Sequence, residues 1–247
     1  MEVHAHTHTP RKKWTHYFWE FLMLFLAVFC GFLAEYALEH KIEKDREKQF
    51  IKSLANDIRA DIVHLNSIID KRTQKLVRLD SLFSMLNSPD VSQFGSSIYF
   101  NAIHTGRVVD IRFTPNNGTL QQLKNSGGLR LIRNRAVVDS ITRYDVSIRS
   151  LETLGEQEVS LAREYRGVAN KIFNSLVFDK MLDEENNSWR PTGNPALLPF
   201  DKKALEEVNF SIYSFKVVTK GIRRDAKKLL QQASNLLAII NKSYHLE

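Results

Sequence analysis

The chain has 247 residues, a net charge of +7 and a single cysteine. One cysteine excludes internal disulfide bonds and thiolate metal clusters. The basic excess would suit anionic lipid or nucleic acid, but the charges are spread along predicted helices as solvated faces, so we expect no nucleic-acid partner. Phosphate-loop, dinucleotide-binding, zinc-protease and nucleophile-elbow motifs do not occur, and we therefore expect neither an enzyme nor a cofactor or metal.

The first predicted element is a membrane-spanning helix over residues 17–38. Its uncharged centre is bordered by aromatic residues, and a helix needs about 20 apolar residues to cross a bilayer. A cleaved signal peptide is the alternative, but Leu33 to Ala37 lacks the small residues, two positions apart, that a cleavage site requires. The sequence therefore predicts an uncleaved anchor between a tail (1–16) and a large domain (39–247).

Basic residues flank both ends of this span. Arg11 to Lys13 precede it directly, and a second cluster lies between Lys41 and Lys48. Long domains cross membranes largely regardless of flanking charge, so the N-terminal cluster carries more weight. We expect the large domain to lie outside the cytoplasm.

One side of the predicted span has features of a helix-packing face. Ala27 and Gly31 form a small-xxx-small pair, which allows close approach of a second helix. Ordinary use of small residues in a span is the alternative. The predicted face comprises Glu20, Leu24, Ala27, Gly31 and Glu35.

Three long segments without proline predict long helices at about 14–86, 133–181 and 201–244, because proline disrupts a helix interior. Apolar residues recur in each segment at spacings of three and four. Glu158 is the only charged residue on the stripe of the second segment, and Asp201 is a plausible N-cap of the third. The predicted fold is all-α: the membrane helix continues into an elongated antiparallel three-helix bundle with a small irregular helical tip.

Glycine and proline mark the two joints of this bundle. The joint at 87–132 holds a predicted short helix, Thr119 to Asn125, closed by Gly127 or Gly128. In an up-down-up order it lies at the distal tip, and the loop at 182–200 returns to the membrane. That loop supplies aromatic, basic and apolar side chains suited to the headgroup zone: Trp189, Arg190, Leu197, Leu198 and Phe200.

Three groups of polar residues are candidate sites. A glycine turn with arginines could bind an anion, although a helix C-terminus followed by surface arginines explains the same residues. Asp57 and Asp61 could bind a cation, or both are solvated. His4, His6 and His8 could chelate a metal, or they belong to an unstructured tail. The candidate anion site comprises Ser126, Gly127, Gly128, Arg130 and Arg133.

Two blocks of the chain resemble a family of uncharacterised bacterial single-pass membrane proteins. The first block contains Glu39-His40, Glu43-Lys44, Arg46 to Ile51, Ser53-Leu54, Asp57, Asp61 and Leu65. The second contains Phe113-Thr114-Pro115, Gly118-Thr119-Leu120, Leu123, Ser126 to Leu129, Leu131-Ile132 and Asn134. The resemblance implies a single-pass anchor in the bacterial inner membrane, and it implies no mechanism. Together with the expected orientation, it predicts that the large domain is periplasmic.

These patterns favour a membrane-anchored helical interaction or scaffold protein. Its expected partners are membrane lipid and either a second copy of the chain or another membrane protein. The alternative is an extracytoplasmic ligand-sensing domain that uses the glycine-rich joint at 87–132. A buried polar pocket in that joint would favour sensing, whereas a large apolar surface patch would favour interaction.

Overall fold

The computed structural model describes residues 13–246, and within them it is helical, with one isolated β-bridge between Leu182 and Ser188. His4, His6 and His8 lie outside the described residues. The chain divides into two compact units, residues 1–49 and 50–247, and the second is called the helical domain below. The helices are α1 (Trp14–Leu86), α2 (Gly95–Gly106), α3 (Gly118–Asn125), α4 (Arg135–Ala169), α5 (Ser175–Asp179) and α6 (Lys202–Tyr244).

The first unit contains the N-terminal part of α1. Its most apolar 18-residue window has a mean hydropathy of 2.2 and none of it is buried, so by length and composition this helix could cross a membrane. Gly31 is exposed, and a Cβ added there would meet nothing within 4 Å. An apolar helix is thus confirmed over residues 17–38, whereas its crossing of a membrane and its association through Ala27 and Gly31 stay predictions.

In the helical domain, α1 and α4 run in the same direction. Tyr144 donates to Asp61 at 2.6 Å, and Lys75 donates to Glu158 at 3.0 Å, so residue numbers rise together along the two helices. The predicted antiparallel order of the first two helices is therefore wrong.

Helix α6 is antiparallel to both α1 and α4. Asn87 and Asn209 exchange side-chain hydrogen bonds of 3.1 and 3.0 Å, and Asn134 at the start of α4 donates to Ser243 near the end of α6 at 2.9 Å. The C-terminal end of α6 therefore lies at the Phe50 end of the helical domain, and its beginning lies at the Leu86 end.

The joint at 87–132 accounts for the parallel pair. After α2 the chain turns back along α1: Ile111 accepts from Arg72 at 2.9 Å, and the backbone N–H of Asn116 donates to Asp61 at 2.8 Å. Ile111 and Asn116 contact α1 residues 11 positions apart, about 16 Å at ~1.5 Å each, which five largely extended residues can span. The joint is thus a crossover that returns the chain to the Phe50 end, and it is not confined to one tip.

The loop at 182–200 lies at the Leu86 end, against α2. Asn194 accepts from the backbone N–H of Ser96 at 3.2 Å, and Arg190 donates to Ser97 at 3.0 Å. Its predicted return to the membrane assumed that the second helix runs back along the first, and that premise is wrong. Trp189 is exposed, Leu197 and Leu198 are half-buried, and Phe200 is exposed at 36%.

The sequence predicted the ends of individual helices better than it predicted which helices are parallel. The side chain of Asp201 caps α6 by accepting from Ala204 N at 2.7 Å, and Gly127 ends α3 with a left-handed φ of 67°. The second predicted helix is too long, because α4 ends at Ala169. A turn there brings Ile172 and Phe173 into the core before Asn174 caps α5.

The core of the helical domain consists of two hydrophobic clusters. One lies toward the Phe50 end and includes Leu65, Ile148 and Ile222. The other lies toward the Leu86 end and includes Leu79 and Phe215. Between them the three long helices contribute a layer of buried polar side chains, the polar layer: Arg72, Lys75, Glu158 and Thr219.

Candidate anion-binding pocket

The polar layer is an ion cluster with more positive than negative charge. Both Arg72 Nη1 and Lys75 Nζ contact Glu158 Oε1, and all three side chains are at most 5% exposed. Arg72 also donates to the carbonyl of Ile111 on the crossover. A buried carboxylate between two buried cations offsets much of their desolvation, but it leaves one positive charge in excess.

Burial changes the protonation of this cluster. Loss of hydration lowers the pKa of Lys75 from 10.5 to about 8, although the neighbouring Glu158 carboxylate acts in the opposite direction. The ammonium also lies 4.6 Å from the centre of the Phe215 ring. Lys75 is thus still mainly cationic at neutral pH, but it is the cation of the cluster that most readily releases its proton.

Lys75 of the polar layer also lines a cavity of about 350 Å³, the basic pocket. The lining residues come from α1, from the end of α2, from the segment that follows α2 and from the loop at 182–200. The lining contains four cationic side chains and one carboxylate. The charged members are Lys71, Lys75, Arg78, Arg107 and Asp110.

Arg78 carries an unsatisfied group in this lining. Its Nη1 is a buried nitrogen without a hydrogen-bond partner among the described residues. Burial and the positive charge of Arg190 both lower the pKa of Arg78, with burial the larger cause. Arg78 and Arg190 lie over the Phe100 ring, at 5.1 and 4.6 Å from its centre. A buried guanidinium nitrogen with a like charge nearby would be stabilised by an anion.

His104 supplies a neutral donor–acceptor edge to the basic pocket. Its Nδ1 lies 2.8 Å from the carbonyl oxygen of Phe100, so this nitrogen carries the proton, and Nε2 is then free to accept from Ser188 Oγ at 3.3 Å. Burial lowers the pKa of His104, which keeps the ring neutral at pH 7. The histidine therefore orders the pocket wall and adds no charge to it.

Asp57 and Asp61, the predicted cation site, do not line the basic pocket. Asp61 is buried and accepts from Tyr144 and from Asn116, and Asp57 accepts from Thr119 N at 3.2 Å, so both aspartates fasten the crossover to α1. Burial raises the pKa of Tyr144, and its hydrogen bond to Asp61 adds to this effect.

The glycine turn at 126–128 is accounted for as a helix end. Ser126 donates to the carbonyl of Gln122 at 2.7 Å, and a Cβ on Gly128 would come within 3.1 Å of Leu123. Anion binding by this turn, with Arg130 and Arg133, stays a prediction. None of these residues lines the basic pocket.

No group of three or more metal-ligating side chains is present in residues 13–246. Comparison with known proteins gave no match to a protein-family model, a curated protein or a solved structure.

Proposed function

We propose that this chain is a single-pass membrane protein whose helical domain binds a small anionic ligand in the basic pocket. The charge of the basic pocket carries the proposal, because four cationic side chains line it with a single carboxylate. Arg78 is one of the four, and its buried Nη1 has no hydrogen-bond partner among the described residues. His104, Arg107 and Asp110 belong to the joint at 87–132. The proposal therefore follows the ligand-sensing hypothesis, which placed the binding site in this joint. The resemblance to bacterial membrane proteins supports an inner-membrane anchor, and the basic residues directly before the span favour a periplasmic domain.

Replacement of Arg78 tests the pocket. We expect the full chain to bind inorganic phosphate, and Arg78→Gln to weaken binding about tenfold or more, because a hydrogen bond to a charged group contributes roughly 1.5–3 kcal/mol. Isothermal titration calorimetry of the purified chain in phosphatidylcholine nanodiscs measures both affinities.

The matched control is Arg135→Gln. Arg135 is exposed at the beginning of α4, at the other end of the helical domain, and the substitution removes the same charge. Phosphate binding that is absent from the wild-type chain, or equally weakened by both variants, would contradict the proposal.

A second candidate function is protein interaction through α6. Its outward side carries large apolar side chains at helical spacing: Phe210 is 69% exposed, Tyr213 57% and Val217 51%. The rings of Phe210 and Tyr213 lie 6.0 Å apart, which makes one continuous surface. Exposed apolar patches mark interaction sites, and this one favours the scaffold reading. The helix-packing face of the predicted span would act with it.

The α6 surface has its own test. We expect Phe210→Ser combined with Tyr213→Ser to reduce crosslinked complexes in native membranes at least fivefold, because the pair supplies most of the exposed aromatic area there. The control is Val146→Ser, which alters an exposed apolar residue of α4. Crosslinking that survives the double substitution at the level of the control would eliminate this surface.

A further inference from the structure

A second cavity, the apolar cavity, adjoins the basic pocket. It also has a volume of about 350 Å³, and hydrophobic side chains make up most of its lining. They come from α2, from the end of α4 and from the segment around α5: Ala102, Ile103, Ala169, Phe173, Phe178 and Leu182. Its size lies within the range of small-molecule sites.

The end of α2 separates the two cavities. Ile103 and Gly106 line the apolar cavity, His104 lines the basic pocket, and Arg107, directly after the helix, lines both. Arg107 interacts with Asp110 at 3.3 Å on the side of the basic pocket. A single cationic residue thus stands where the polar lining ends and the apolar lining begins.

A short turn forms a second shared edge. Leu182 lines the apolar cavity, whereas Asn187 and Ser188 line the basic pocket. The backbone bridge between Leu182 and Ser188 holds the ends of this turn together, and Asp183 N donates to Asn187 O at 3.1 Å. The two cavities are therefore neighbours across one arginine and one turn.

From this juxtaposition we propose that the ligand is an amphiphile with an anionic head. The phosphate or carboxylate head occupies the basic pocket, and a hydrocarbon chain passes Arg107 into the apolar cavity. The inference rests on the proposed function, because the head site is the basic pocket. It adds the chemistry of the rest of the ligand, since an apolar cavity gives water few hydrogen-bond partners and favours hydrocarbon.

A series of alkyl phosphates tests the chain site. Inorganic, methyl, butyl, hexyl and octyl phosphate are titrated into the full chain in phosphatidylcholine nanodiscs, with empty nanodiscs subtracted. Full burial of a methylene corresponds to about a fourfold gain in affinity. We expect octyl phosphate to bind at least tenfold more tightly than butyl phosphate.

A substitution that fills the apolar cavity distinguishes binding of the hydrocarbon chain from binding of the anionic head. Ile103 is half-buried, and Ile103→Trp should remove the gain with chain length while the affinity for inorganic phosphate stays within twofold. The retained phosphate binding also shows that the variant is folded. The control is Val63→Trp, at an exposed position of α1 that lines neither cavity, and it should keep the gain.

Dioctanoyl phosphatidic acid identifies the source of the amphiphile. Tighter binding of this lipid than of octyl phosphate indicates a membrane lipid, whereas the reverse order indicates a free single-chain compound, and both outcomes support the inference. An affinity that does not change along the alkyl series overturns the amphiphile and leaves the anion site intact. No binding of any phosphate, inorganic phosphate included, overturns both proposals.

Discussion

Glu158→Gln is expected to lower the free energy of unfolding by about 3–5 kcal/mol, because it removes one partner of a buried ion cluster. Glu158 is 1% exposed and is the carboxylate that both Arg72 and Lys75 contact. A glutamine keeps the shape but leaves two buried cations without a counter-charge. Denaturant unfolding of the full chain in nanodiscs, followed by circular dichroism, measures the loss.

Glu156→Gln is the matched control, two residues away on the same helix. Its side chain is 73% exposed and lies 3.9 Å from Arg112, so the change should cost less than about 0.5 kcal/mol. Equal losses in the two variants would show that the buried cluster is not needed for stability. Replacing the whole cluster with Arg72→Met, Lys75→Met and Glu158→Leu should recover most of the loss, because no charge is then buried.

Lys75 is expected to make the helical domain more stable as the pH rises from 8 to 10.5. Its folded-state pKa is about 8 and its ordinary value is 10.5, so the unfolded chain holds a proton in this window that the folded chain has released. Stability rises with pH wherever the unfolded state binds more protons, here by at most roughly 3 kcal/mol. Below pH 8 both states are protonated, and the cost of burying the charge is fully present.

Lys75→Met isolates this effect from tyrosines and other lysines that titrate in the same range. The difference in unfolding free energy between the wild-type chain and the variant should change in favour of the wild-type chain between pH 8 and 10.5. A difference that is flat or changes in the opposite direction would show that the folded-state pKa of Lys75 is not lowered.

Much of the helical pattern was predictable because it depends on short stretches of sequence. The bounds of α1 and α6, the cap at Asp201 and the left-handed Gly127 all follow from spacing, side-chain chemistry or backbone freedom within a few residues. The end of α4 was missed because the apolar spacing continues past Ala169 although the helix does not.

The direction of α4 was not predictable from helical spacing. An apolar stripe shows which face of a helix is buried, and it is identical for a parallel and an antiparallel partner. The direction of α4 depends on which end of α1 the chain has reached when α4 begins. Long-range contacts such as that between Asn116 and Asp61 determine this position.

The polar layer left two signals in the sequence. Glu158 occupies a position on the apolar stripe of the second segment, where a carboxylate requires a buried cation. The stripe of the first segment also skips from Ile69 to Leu76, and Arg72 fills that gap in the structure. Treating Arg72 and Lys75 as solvated charges hid their pairing with a residue more than 80 positions away.

Because α1 and α4 are parallel and joined by a crossover, residues of α1 are synthesised long before the residues that they contact. Tyr144, the partner of Asp61, is synthesised 83 residues later, and Asn209, the partner of Asn87, is synthesised 122 residues later. At about 5–20 residues per second, the second interval corresponds to roughly 6–24 s of translation. During this time α4 is the only long helix that can be completed against the apolar side of α1 in the helical domain. The nascent chain must therefore be shielded from aggregation until α6 has left the ribosome.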